Sequence, residues 1–118
     1  MRPNLDIMQW NPIIDSKQIE AIKAASFAKP QLILKHSTTC SISKMALARL
    51  ERADTPNNVD FHYLDLLNYR NISKEIAESF DVSHESPQVL LIKNGHCVYD
   101  ESHGGIQMVE IEEQALQA

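Results

Sequence analysis

The sequence predicts an α/β domain built on a mixed sheet with helices on both faces. Three observations predict it. Short apolar runs at Leu32-Ile33-Leu34 and across residues 59–66 alternate with amphipathic stretches, the pattern of strand–helix–strand crossovers. Asn94-Gly95 lies between two further apolar runs, and this is the strongest local hairpin signal, because a type I′ turn needs positive φ at both central positions. The chain has 118 residues, 43% apolar and 23% charged. That is the size and usage of one globular domain spanning residues 1–118, and it excludes a disordered or fibrous chain.

The elements follow in order. Trp10, the sole tryptophan, is expected to anchor the N-terminal segment to the core. A first helix opens at Asp15-Ser16, with Asp15 as cap and Gln18 at the capping-box position. It runs to about Ala28 with Ile19, Ile22 and Phe27 inward, and Pro30 closes it. Leu32-Ile33-Leu34, unbroken and flanked by polar residues, reads as a strand buried on both faces. The polar turn His36-Ser37-Thr38-Thr39 leads into a second helix, where Ile42, Met45, Ala46, Arg49, Leu50 and Ala53 make a helical stripe. Residues 54–58 end it. Val59, Phe61 and Tyr63 alternate with Asp60 and His62 as a second strand, and a third helix begins at Asn71 or Ser73 with Ile72, Ile76 and Phe80 inward. Residues 88–92 and 96–99 form the hairpin, and residues 106–116 a last helix with Met108, Ile111 and Ala115 inward. The Pro and Gly residues punctuate one continuous domain.

Charge and cysteine content narrow the function. Eleven basic against sixteen acidic residues give −5. With no basic cluster longer than a pair, nucleic acid is not an expected partner. No apolar run approaches the ~18 residues of a membrane span, and the first ten residues lack the apolar core of a signal peptide. The expected compartment is the cytoplasm, where Cys40 and Cys97 stay thiols. The histidines (His36, His62, His84, His96, His103) are scattered, without the close spacing of a structural zinc site. Glu101, Glu110, Glu112 and Glu113 read as a solvated acidic face.

Cys40 is the leading chemical candidate. It follows a buried strand at the first turn of a helix, where main-chain N–H groups lack helical acceptors. Those of Ile42 and Ser43, with the positive end of the helix dipole, favour an anion there. Helix N-termini favour thiolate over thiol, and the thiolate is the nucleophile of disulfide exchange. The Ser43 hydroxyl is a further candidate hydrogen-bond donor to sulfur. Ser37, Thr38, Thr39, Ser41 and Ser43 are small and polar, suiting an accessible sulfur. Cys97, among Val98 and Tyr99 in the hairpin, reads as a packed, inert thiol. His36 reads as a strand-end residue, His84 and Glu85 as solvated loop. Pro87 directly before an apolar strand belongs at its start or at an edge, and taken alone the Ser86-Pro87 bond reads as trans.

Thr39-Cys40-Ser41-Ile42-Ser43 after a strand, with Ser86-Pro87 opening a terminal hairpin, resembles the thioredoxin superfamily. More narrowly, Thr39-Cys40, Ile42-Ser43 and His84-Glu85-Ser86-Pro87-Gln88 resemble the monothiol bacilliredoxins, also called YtxJ-like, from Trp10-Asn11 to Gly104-Gly105. One departure is Ser41, where that family commonly has proline. The resemblance implies a thioredoxin-like α/β fold, with a central sheet of four to five strands and a cis Ser86-Pro87 bond facing the sulfur. It implies Cys40 as nucleophile of a thiol-disulfide oxidoreductase. Ile42 and Ser43 would stabilise the thiolate, and Thr39, Ser41, Ser86 and Pro87 would bind substrate, Ser86 by pairing an extended peptide as an added strand. Bacillithiol would be the co-substrate, with no tightly bound cofactor and no metal. Partners would be bacillithiolated clients, with neither nucleic acid nor membrane, and the protein a monomer. Two rivals are a thioredoxin-like module that docks partners without turnover, and an iron–sulfur carrier of the glutaredoxin branch. The carrier's Cys-Gly-Phe-Ser form is absent.

Overall fold

The computed structural model describes residues 9–117; the start of the chain, read above for a leader, lies outside them for residues 1–8. The elements are β1 (Asn11–Pro12), α1 (Lys17–Ala25), β2 (Gln31–His36), α2 (Ser41–Arg52), β3 (Asp60–Asp65), α3 (Arg70–Phe80), β4 (Gln88–Lys93), β5 (His96–Ser102), a 3₁₀ turn (His103–Gly105) and α4 (Met108–Leu116). They form a five-stranded sheet in the order β1-β3-β2-β4-β5. β1 and β2 flank β3 in parallel, β4 runs antiparallel to β2, and β5 antiparallel to β4.

β2 is central because both its faces are apolar. Leu32 and Leu34 join Val89 and Leu91 under α2 and α4, against Ala46, Leu50, Met108, Ile111 and Ala115. Ile33, Leu90 and Ile92 face the other way, under α1 and α3, against Ile19, Ile22, Ile72, Ile76 and Phe80. The alternation of side chains along a strand thus feeds two cores, and the expected sheet with helices on both faces is present. Asn94 (φ 53°) and Gly95 (φ 81°) supply the two positive-φ positions of the hairpin turn. Trp10 packs edge-on against Phe61 and Tyr63, with ring centroids 5.8 and 6.0 Å apart, and its Nε1 donates to Glu51 at 3.1 Å.

Several expectations are corrected. β1 was not anticipated: two residues carry no periodicity, and the strand exists because Ile13 N–H reaches the Tyr63 carbonyl at 2.8 Å. α1 stops at Ala25, and Phe27, expected inward, is 67% exposed beyond the helix end. The expected stripe on α2 is rotated: Ile42 and Met45 are 51% and 63% exposed, while Ser43, Ala46 and Leu50 face the core. A small polar residue takes the inward position because it hydrogen-bonds there. α3 begins at Arg70, and the last helix at Met108 rather than 106. The Asp15 carboxylate accepts from Lys17 N–H (2.8 Å) and Gln18 Oε1 from Asp15 N–H (3.0 Å), so the start of α1 is closed from both sides.

Candidate active site at the head of helix α2

Cys40 is the N-cap of α2, in extended conformation (φ −100°, ψ 122°) and half-buried. The turn before it closes through Cys40 N–H to the Ser37 carbonyl at 3.3 Å. The first helical bond runs from Lys44 N–H to the Cys40 carbonyl at 3.0 Å. The amides of Ser41, Ile42 and Ser43 therefore precede the first N–H that finds a helical acceptor, and among the described residues they have no partner. The Cys40 side chain makes no capping hydrogen bond to them. Thr39 and Ser41 are exposed on either side, and Thr39 Oγ1 lies 3.3 Å from Ser37 Oγ.

The structure places the Ser43 hydroxyl away from the expected role. Ser43 is fully buried, and its Oγ accepts from Ser37 N–H at 3.0 Å while lying 2.7 Å from His36 Nδ1. It ties the head of α2 to the end of β2. His36 is buried too, its ring 5.5 Å from that of Tyr63. Burial lowers its pKa, a nearby Asp65 charge only partly opposing this, so the ring is neutral at pH 7.

The proline segment reaches the same end of the sheet. The β2–β4 register pairs Lys35 with Gln88, which carries Pro87 level with the strand end from which the chain runs to Cys40. Ser86-Pro87 is cis, as the resemblance implied and the residues alone did not. Pro87 is buried, and its carbonyl accepts from His103 N–H at 3.0 Å. Neither the N–H nor the C=O of Ser86 is used among the described residues. Buried Gln88 braces the loop, donating to the Ser83 carbonyl (3.0 Å) and accepting from Glu85 N–H (3.3 Å). Arg49, from α2, secures the facing turn by donating to the Ile106 (2.8 Å) and His103 (3.3 Å) carbonyls.

Cys97 is elsewhere, packed at the edge of the core under α1 and α3, with Sγ 3.3 Å from the Tyr99 carbonyl. Burial pushes its thiol up to about 11. The sequence reading missed Lys35, a wholly buried lysine whose Nζ donates to the Ser73 carbonyl at 3.2 Å and lies 3.3 Å from His84 Nδ1. The available signal was a lysine continuing an apolar run in register with Ile33. Among the described residues no three His, Cys, Asp or Glu side chains gather as a metal site, and no helix is long and apolar enough to cross a membrane.

Among solved structures, the chain is similar to a proposed oxidoreductase with a thioredoxin fold: 30% identity, 88% of this chain and 91% of that one covered, TM-score 0.77. It is also similar to the thioredoxin Mala s 13 of Malassezia sympodialis (20% identity, 92% and 91% covered, TM-score 0.70). Spinach chloroplast thioredoxin f in its long form follows at 17% identity, with 98% and 92% covered and a TM-score of 0.72. These last two share the fold. The model of the family described as Monothiol bacilliredoxin BrxC matches residues 11–111. A thioredoxin fold with this match over most of its length makes the chain a thiol-redox protein, and it belongs to the monothiol bacilliredoxin family.

Proposed function

We propose that the protein removes bacillithiol from S-bacillithiolated client proteins, in the cytoplasm and as a monomer, with Cys40 as the sole nucleophile. The observation that carries this reading is a half-buried cysteine capping α2 beside three unpartnered amides. Developing negative charge on sulfur meets oriented N–H dipoles there without first breaking helical bonds. Of these, the Ile42 and Ser43 main-chain groups are assigned to the thiolate; the Ser43 side chain is not.

The chemistry balances in two exchanges. Cys40–S⁻ attacks the bacillithiol sulfur of client–S–S–R, forming Cys40–S–S–R and releasing client–S⁻. A second bacillithiol thiolate then attacks Cys40–S–S–R, releasing R–S–S–R and restoring Cys40–S⁻. Position 43 holds serine, and Cys97 is committed to its own strand, so no internal sulfur competes for the second step. Thr39 and Ser41 border the sulfur. Ser86, with main-chain N–H and C=O both unused, is suited to pair an extended client segment, while Pro87 supports it.

Incubating the protein with a bacillithiolated client and following intact masses tests this. Wild type is expected to gain one bacillithiol while the client loses one, and Cys40→Ala to gain none. Equal gain by Cys40→Ala would exclude Cys40 as acceptor. Binding of the client without any transfer would favour a docking module.

A further inference from the structure

A hollow of about 430 Å³ opens between α3 and the loop leading to Pro87. Leu66 and Ala77 give it an apolar floor, and Arg70, Lys74, Glu78 and His84 stand around it. Leu66 N–H donates to the His36 carbonyl at 3.1 Å, and His84 lies three residues before Pro87. The hollow is therefore at the end of the sheet where β2 hands over to Cys40.

Its charge is unlike that of the whole chain. Lys35 lies behind it, fully buried, with Nζ held by the Ser73 carbonyl and His84 Nδ1. Burial pulls this lysine down to about 8, which leaves it an ammonium at pH 7. Because His84 Nδ1 accepts from that ammonium, the ring carries its proton on Nε2. Arg70 and Lys74 thus share the rim with one carboxylate, Glu78, and buried Lys35 adds positive charge behind them, in a protein whose net charge is −5. A small concave site with an apolar floor and convergent cationic groups suits an organic acid of a few hundred Å³.

We propose that this hollow receives the carboxylate-bearing end of the low-molecular-weight thiol while its sulfur exchanges at Cys40. The inference rests on the bacillithiol reading above. A thiol that carries carboxylates at the end remote from its sulfur would present sulfur to Cys40 and acid to Arg70 and Lys74. The rim charges discriminate acidic from neutral thiols, and Glu78 tempers the affinity so that the oxidised product leaves.

The test needs no client. Wild type, Arg70→Ala/Lys74→Ala and Glu78→Gln are mixed with bacillithiol disulfide or with 2-hydroxyethyl disulfide, and the rate of mixed-disulfide formation at Cys40 is followed by intact mass. The double variant is expected to react about tenfold more slowly with bacillithiol disulfide, to lose that deficit at high salt, and to match wild type with the neutral disulfide. Glu78→Gln is expected to react faster than wild type with bacillithiol disulfide alone. Equal slowing with both disulfides, or none with either, would overturn the proposal. A wild type that forms no adduct with bacillithiol disulfide would remove the functional reading itself. A wild type that does so while the double variant matches it would remove this inference alone.

Discussion

The Ser43 hydroxyl lies 2.7 Å from His36 Nδ1 and 3.0 Å from the Ser37 amide nitrogen. One buried oxygen thereby fixes the turn that presents Cys40 by tying the head of α2 to the end of β2. Position 43 serves here as a structural tie.

Ser43→Ala should therefore behave as a stability variant. It leaves the Ser37 N–H and His36 Nδ1 buried without partners, at a cost of about 1–3 kcal/mol, measurable as a lower urea midpoint with unchanged m-value. Adduct formation at Cys40 should stay within about twofold of wild type, since the assigned thiolate partners are main-chain groups. Lost reactivity with intact stability would mean that the hydroxyl serves the sulfur directly.

Cys97 should lag in alkylation. Its thiol is pushed up to about 11 from an ordinary 9.0, so its thiolate fraction near pH 8 is about a hundredfold below that of a free cysteine. Peptide mapping after brief iodoacetamide treatment should find label on Cys40 and almost none on Cys97, whose rate should climb about tenfold per pH unit. Comparable labelling of both at pH 7.5 would contradict this.

Lys35 makes stability depend on alkaline pH. Its folded pKa of about 8 lies below the ordinary 10.5. Between those values the unfolded chain binds more protons than the folded one, so this group makes stability rise with pH across that window. Below pH 8 both states are protonated, and the burial cost is present in full. The difference in unfolding free energy between wild type and Lys35→Met, taken from urea titrations at pH 7 and pH 10, should shift in favour of wild type at the higher pH. A pH-independent difference would show that the ammonium is not desolvated.

Arg49→Ala should loosen the turn that faces Pro87. It removes donors from the carbonyls of buried Ile106 and of His103, a loss of about 1–3 kcal/mol. Lysine cannot reproduce two donors in a fixed fork, so Arg49→Lys should recover only part. Hydrogen exchange at the His103 amide, which bonds the Pro87 carbonyl, should quicken in both variants. Unchanged protection there would mean that Arg49 does not hold the turn.

What the sequence disclosed, and what it withheld, follows from how local each signal is. Leu32-Ile33-Leu34, the Asn94-Gly95 turn and the handover at Cys40 depend on neighbours within a few residues, and all appear where the pattern puts them. β1 depends on a strand about fifty positions away, so two residues could not announce it. Apolar spacing misjudged α2 because Ser43, although polar, has buried partners at residues 36 and 37, whereas Ile42 and Met45 face outward. Lys35 showed only as a lysine continuing an apolar run, since its partners, Ser73 and His84, come from α3 and the loop beyond. The cis Ser86-Pro87 bond was expected through the family resemblance, since no residue spacing distinguishes it from trans.

The central claim is that one sulfur carries the whole exchange. The most direct measurement uses Cys97→Ser, which retains only Cys40, with a bacillithiolated client and proteolytic mapping of the trapped adduct at early times. The expected result is one bacillithiol on the Cys40 peptide for each client thiol released, at the wild-type rate. Client release with no adduct on Cys40, or release that stops when Cys97 is replaced, would contradict it.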